Sequence, residues 1–275
     1  MARRPVSKEL WRQLQPLIPA FESSAKGGAR KVAVSDEAAL NGILFVLETG
    51  IPWEDLPQSL GYVSGMTCWR RLRDWNASGV WQKLHLAMLA RLREHDQIDW
   101  GRASIDGSSV PSPLGGRETG PNPTDRGKLG SKRHIVVDGR GIPLVILVSG
   151  AKRHDSKMFE NCVDAIPAVA GLAGRPRKRP AKLHADKGYD CKRCRQHLRQ
   201  RGIVSRIGRR GIESSERLGK HRWVVERTHG WLQALASYES ALNDGWISTK
   251  RCRSWRQRSS VRASWTGGVS RSKCC

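Results

Sequence analysis

The hydrophobic period of the chain changes near Trp100, and that change limits the fold more than any other feature of the sequence. Before it, apolar residues recur at helical spacing. SKELWRQLQPLI opens on Ser7 as an N-cap and places Leu10, Leu14 and Leu17 on one face. SDEAALNGILFVLETG has Ser35 as its cap, an apolar face through Leu40, Ile43, Leu44 and Leu47, and a stop at Gly50. After IPWEDLP, the segment SGMTCWRRLRDWNASGVWQKLHLAMLARLRE reads as two helices separated by a break at Asn76–Gly79. Beyond Trp100 the runs become short and apolar. RASIDGSSV reads as a strand with Asp106 at its end, and KRHIVVDGRGIPLVILVSG as two strands about the hairpin signal Asp138-Gly139. A helix from about Asp155 to Ala170 follows, then the strand KLHAD ending in Asp186, the helix CKRCRQHLRQRG, the strand GIVSRI and the helix KHRWVVERTHGWL. The expected architecture is therefore a helical region over about 1–95 and an α/β domain over about 100–237, a mixed sheet with helices and a hairpin at one side.

The charge narrows the partners. Among 275 residues, 49 Lys and Arg face 25 Asp and Glu, a formal net charge of +24. Solubility does not need such an excess, and its spread along the chain predicts a broad basic surface for a polyanion, with nucleic acid the leading candidate. A membrane surface is disfavoured, since no basic amphipathic helix or lipidation motif is apparent. No run approaches 18 apolar residues and no signal-peptide core follows the start, so a cytoplasmic protein is expected. Seven cysteines at irregular spacing do not form a disulfide framework. Cys191, Cys194 and His197 have partial zinc-like spacing without a second ligand pair; two cysteines one helical turn apart is the simpler reading.

The third helical segment carries Arg70, Arg71 and Arg73 beside Trp69 and Trp75. That composition suits the reading helix of a helix-turn-helix, with arginines for phosphates and base edges. It equally suits a solvated basic face above core tryptophans.

Three acids stand out. Asp106 and Asp186 each fall at or just beyond a strand end and precede a glycine-containing turn, while Glu226 lies in a helical run among His221, Arg222, Arg227 and His229. If the strands are neighbours, the two aspartates stand together and repel unless a cation joins them. A third carboxylate would complete a hard-oxygen site for Mg²⁺ or Mn²⁺, and two such ions suit phosphodiester displacement. Solvated strand-end acids are the alternative.

These motifs have a familiar order. LNGILFVLETGIPWEDLP, WRRLRDWNASGVW, SIDGSSV, GIPLVILVSGAKRHDS, HADKGYD and LGKHRWVVERTHGWL together resemble the DDE transposases of the IS5 family, within the IS4-like group, from about residue 8 to residue 233. The resemblance implies an N-terminal DNA-binding region and an RNase H-like catalytic domain with Asp106, Asp186 and Glu226 as ligands of two Mg²⁺ or Mn²⁺ ions. It implies double-stranded DNA as partner, with a homodimer on the DNA, and cleavage of element ends followed by joining of the 3′-OH to target DNA. A DNA-binding remnant without catalysis, and a nuclease without strand transfer, are the alternatives. Arg222 matches the Arg of the family's Y-x2-R-x3-E-x6-K signature and shares a helix face with Glu226; Gly219 and Gln233 stand where the signature has Tyr and Lys. His154-Asp155 also matches a family motif, for which Asp155 as a helix cap is the plain reading.

After Leu232 the amphipathic pattern stops. Reading two bases out of frame from Tyr238, Tyr238-Glu239 and Asn243-Asp244 can each yield only Arg or a stop, and Trp246-Ile247 only Asp. Gly245-Trp246 yields Leu, Val or Met, and Ser248-Thr249 permits His. Every constrained position agrees with the RIRFERRLDIH expected of the family at this point. The sequence therefore predicts a frameshift near Ser237 and an aberrant tail over 238–275, which weakens the support of the helix bearing Glu226. The tail holds eight Lys/Arg against two Asp/Glu, so +18 of the charge remains without it.

Overall fold

The computed structural model describes residues 6–20, 34–112, 115–209, 211–212 and 215–233, the last span in its side chains from residue 222 onward. The frame change expected near Ser237 and the tail expected over 238–275 lie outside the described residues.

The N-terminal region is helical because its caps and apolar faces agree. Ser7 accepts the Leu10 N–H at 3.2 Å and starts α1 (Lys8–Leu14). Gln15–Leu17 then tighten into a 3₁₀ turn instead of prolonging the helix, since Pro16 offers no N–H. Ser35 caps α2 (Asp36–Thr49), which ends on Gly50 at φ 70°, a left-handed conformation that glycine adopts without a Cβ clash. The break expected at Asn76–Gly79 separates α3 (Gly65–Ala77) from α4 (Val80–Glu94). Leu14, Leu40, Ile43, Val46, Leu56, Cys68, Trp75 and Val80 form their common core. Gly65 is required there: a Cβ would fall 1.6 Å from the Trp53 carbonyl oxygen.

The second region is one sheet. β1 (Ala103–Pro111), β3 (Leu129–Asp138) and β4 (Pro143–Gly150) form an antiparallel meander, with β2 (Gly120–Pro121) pairing the start of β3. β5 (Lys182–Ala185) runs parallel to β1, and β6 (Val204–Ile207) parallel to β5. The order β4-β3-β1-β5-β6 is RNase H-like, the fold that the resemblance implies. The hairpin is pinned by Asp138, whose carboxylate accepts the N–H groups of Arg140, Ile142 and Asp99. α5 (Asp155–Asp164) is shorter than expected, because the residue before Pro167 is barred from continuing a helix. α6 (Lys192–Gln200) links β5 to β6, and α7 (Ser215–Gln233) closes the described chain.

Alternation along the strands sorts the two faces. Ala103, Ile105, Val136, Leu183 and Ala185 pack with Phe159, Val163 and Leu198 of α5 and α6. Ile135 and Val137 pack with Val224 and Val225 of α7 on the other face. Asp106 pairs with Ile135 and so belongs to the α7 face.

Candidate active site

Asp106 is not at the end of β1 but within it, the fourth of its nine residues. The parallel register Ala103↔Leu183 and Ser104↔His184 brings Asp186, just beyond β5, abreast of Asp106. The two acids are thus set side by side by strand pairing. Asp186 also caps the 3₁₀ turn Lys187–Tyr189, its Oδ1 accepting the Gly188 N–H at 2.9 Å. The Asp106 carboxyl is pushed up to about 6 by burial, against the guanidinium of Arg222 and the Gly107 N–H, with Asp186 and Asp155 adding to the rise. Arg222 Nη2 lies 3.5 Å from Asp106 Oδ1.

Arg222, Glu226 and His229 form one strip along α7. At one end of the strip Arg222 pairs with Asp106. At the other, the His229 ring is buried beside the Asp106 main chain; burial and Arg133 lower its pKa to about 4, and the Asp106 backbone opposes them. Glu226 sits between the two and is exposed. Among the described residues no three His, Cys, Asp or Glu side chains stand close enough to share a cation, so the structure brings Asp106 and Asp186 together but leaves Glu226 outside that pair. Two adjacent carboxylates, one driven up by burial and by the other's charge, are a donor set that a hard divalent cation fits.

A second polar cluster lies across the sheet. Asp155 does not cap α5: His154 does, its Nδ1 accepting the Ser156 N–H at 3.3 Å. The Asp155 carboxylate instead meets Lys132 Nζ at 3.3 Å and His134 Nδ1 at 3.5 Å, pressed against Gly107. His134 is wholly buried, its Nε2 2.9 Å from Ser149 Oγ, and burial lowers its pKa to about 4 despite Asp155. The Tyr189 hydroxyl is buried without a hydrogen bond to a described group, and burial, then Asp155, Asp106, Cys162 and Asp186, hold its pKa well above the usual value. Sequence reasoning assigned no site role to Asp155, His134, Tyr189 or His229. The HADKGYD and RHDS motifs pointed to the neighbourhood of two of them, but the contacts are long-range.

The arginines of α3 divide. Arg71 is buried and pairs with Asp36 of α2 at 3.2 Å, so it ties two helices together instead of presenting itself to DNA. Arg70 is exposed, and Arg73 pairs with Asp74 at 2.7 Å above the Trp69 ring. Trp75 is a core residue. His197 turns from the cysteines to Asp164, 3.0 Å away, so the zinc-like trio is not assembled.

Known proteins resemble this chain in both of its regions. Residues 6–85 match the family model "Putative transposase of IS4/5 family", and residues 102–240 match the model "Transposase DDE domain". The "Insertion element IS402 uncharacterized 16.2 kDa protein" of Burkholderia cepacia is 48% identical over 123 residues, 45% of this chain and 84% of the relative. The "Putative transposase for insertion sequence element IS402" of the same organism is 51% identical over 115 residues, 42% of this chain and 54% of the relative, so the match spans about half of that protein. Among solved structures, a Mos1 transposase paired-end complex with the left transposon end aligns with 85% of this chain and 84% of its own at 12% identity and a TM-score of 0.27, a likeness too remote to carry an argument. No helix among the described residues is long and apolar enough to cross a membrane.

Proposed function

Because this chain belongs to the IS4/5 family of DDE transposases, we propose that its catalytic domain is built to cut DNA at the ends of the element and to join the freed 3′-OH to target DNA. The observation that carries the reading is the strand-set pair Asp106–Asp186 with Arg222 of α7 against it. Asp106, Asp186 and Glu226 are the residues assigned to hold two Mg²⁺ or Mn²⁺ ions. Such ions, when bound, stabilise the attacking and leaving oxygens of an in-line displacement. Arg222 holds the Asp106 carboxylate and stands ready to receive a phosphate as a charge-assisted partner. Arg70, Arg73 and the basic surface supply affinity for double-stranded DNA, which falls steeply with salt. The working form is read as a homodimer in the bacterial cytoplasm at the nucleoid, a state that mass photometry on end DNA checks directly.

The region over about 1–95 is assigned to DNA binding, that over 100–237 to catalysis, and 238–275 to out-of-frame translation. The match to the DDE-domain model stops at residue 240, close to the proposed frame change at Ser237. In this reading the chain as written binds DNA and transposes poorly, since a mobile catalytic carboxylate costs orders of magnitude in rate.

The test is Mg²⁺-dependent cleavage and joining of DNA carrying the element's ends, by this chain, by a version with its frame restored after Ser237, and by the restored version carrying Asp186→Ala. Cleavage and joined product from the restored protein alone supports the reading. Cutting without joining marks a nuclease, and binding without cutting by every version removes the three-carboxylate assignment.

A further inference from the structure

Cys191 and Cys194 are not used by the chemistry above, yet their setting is specific. Cys191 is the N-cap residue of the nine-residue α6, and Cys194 lies one turn in. The two Sγ atoms are 3.1 Å apart. The helix connects two parallel strands, β5 and β6, so the Cys-x-x-Cys opens the helix of a β-α-β unit. That placement gives a thiol the helix N-terminus and a neighbouring thiol to react with.

The two sulfurs differ in access. Cys191 is partly exposed, whereas Cys194 is fully buried in the main core. Burial acts to raise the Cys191 thiol, but the Cys194 thiol, the Cys194 N–H and the Arg193 guanidinium together outweigh it, and its pKa is lowered. Burial and Cys191 push Cys194 up to about 12. Arg193 is held in place by Glu160 at 3.1 Å and by the Ser156 carbonyl.

We propose that Cys191 and Cys194 form a thiol–disulfide exchange site, with Cys191 as attacking thiolate, Cys194 as resolving thiol and a small-molecule disulfide of the glutathione class as co-reactant. The Cys191 thiolate attacks one sulfur of R–S–S–R, forming Cys191–S–S–R and expelling RS⁻. Cys194 gives up its proton to solvent and attacks the Cys191 sulfur, forming the Cys191–Cys194 bond and expelling a second RS⁻. Two thiols are oxidised, one disulfide is reduced to two thiols, and the released protons end on those thiols. An S–S bond is about 2.05 Å, so closure draws the sulfurs together by roughly 1 Å. That displacement falls on the end of the turn that Asp186 begins, because the Cys191 N–H bonds to the Tyr189 carbonyl at 2.8 Å.

The experiment equilibrates the native full-length chain with mixtures of reduced and oxidised glutathione, blocks free thiols with iodoacetamide, and maps tryptic peptides by mass. Trypsin cuts after Lys192 and Arg193, so the two cysteines leave on separate peptides joined only by a disulfide. The expected result is a joined pair that dithiothreitol separates, which appears as the mixture becomes oxidising. Cys194→Ser should trap glutathione on Cys191, and Cys191→Ser should leave Cys194 unmodified, with at least a tenfold difference in labelling. The proposal is overturned if no joined peptide forms at any glutathione ratio, or if the two single variants take up glutathione equally. A circular dichroism spectrum unchanged from the parent chain shows that each variant is folded. DNA cleavage is not part of the readout, so the result stands apart from the transposase reading.

Discussion

Arg222 Nη2 stands 3.5 Å from Asp106 Oδ1, joining the last described helix to the central strand where Asp186 lies alongside. Both side chains are about one-fifth exposed, so the pair is shielded but not dry. Arg222→Gln removes a charge that holds the Asp106 carboxyl down, and Asp106 should then titrate above its parent value of about 6. Carbon-13 NMR of the carboxyl measures this. An unmoved titration means that the contact does no electrostatic work.

His134 and His229 set the acid stability. Both have folded pKa values depressed to about 4 against an ordinary 6.5, so both stay neutral when buried. The unfolded chain takes up these protons as pH falls through 6.5, and the folded chain does not until about 4. Stability is therefore lost on acidification across that window, by about 3 kcal/mol per histidine as an upper figure. Asp106 acts in the opposite sense between about 6 and 3.8, gaining its proton first in the folded state. The net expectation is a fall between pH 6.5 and 4 in urea midpoints, and a smaller fall in His134→Gln. Equal slopes for parent and variant would refute the assignment to His134.

Gly107 has no room for a side chain. A Cβ there would lie 2.2 Å from Asp155 Oδ1 and 3.4 Å from His134 Nδ1. Gly107→Ala should cost about 1–3 kcal/mol by overpacking. Adding Asp155→Ala should return part of that loss, a coupling that a double-mutant cycle in urea unfolding detects. Strict additivity of the two changes would show that they do not meet.

Arg70 and Arg71 are adjacent in sequence but differ in setting, the first exposed and the second buried against Asp36. Arg70→Ala should reduce the slope of log K against log salt for DNA binding by about one phosphate's worth, with little effect on stability. Arg71→Ala should leave that slope alone. It should instead lower the unfolding midpoint, because it strands Asp36 at the α2–α3 contact. Fluorescence anisotropy across a salt series, paired with thermal melts, separates the two.

Glu226 is exposed, so Glu226→Gln should change stability by no more than about 0.5 kcal/mol. In the frame-restored chain it should abolish end cleavage while leaving DNA affinity within twofold. Retained cleavage would remove Glu226 from the metal-holding set.

The sequence alone determined what local chemistry controls. Ser7, Ser35 and Gly50 mark helix ends because caps act within a few residues, and Asp138-Gly139 marks the hairpin because its turn closes on itself. Period and order were enough to anticipate the sheet with its helices. The tertiary structure decided which charges meet. Arg71 reads like its neighbours until α2 supplies Asp36, and Asp155 reads as a cap until β3 supplies Lys132 and His134. The place of Asp106 in mid-strand, its nearness to Asp186 and its bond to Arg222 all follow from strand register and from how α7 crosses the sheet. Such contacts join residues dozens of positions apart, and burial, which sets their energies, is a property of the packed whole and not of any short stretch.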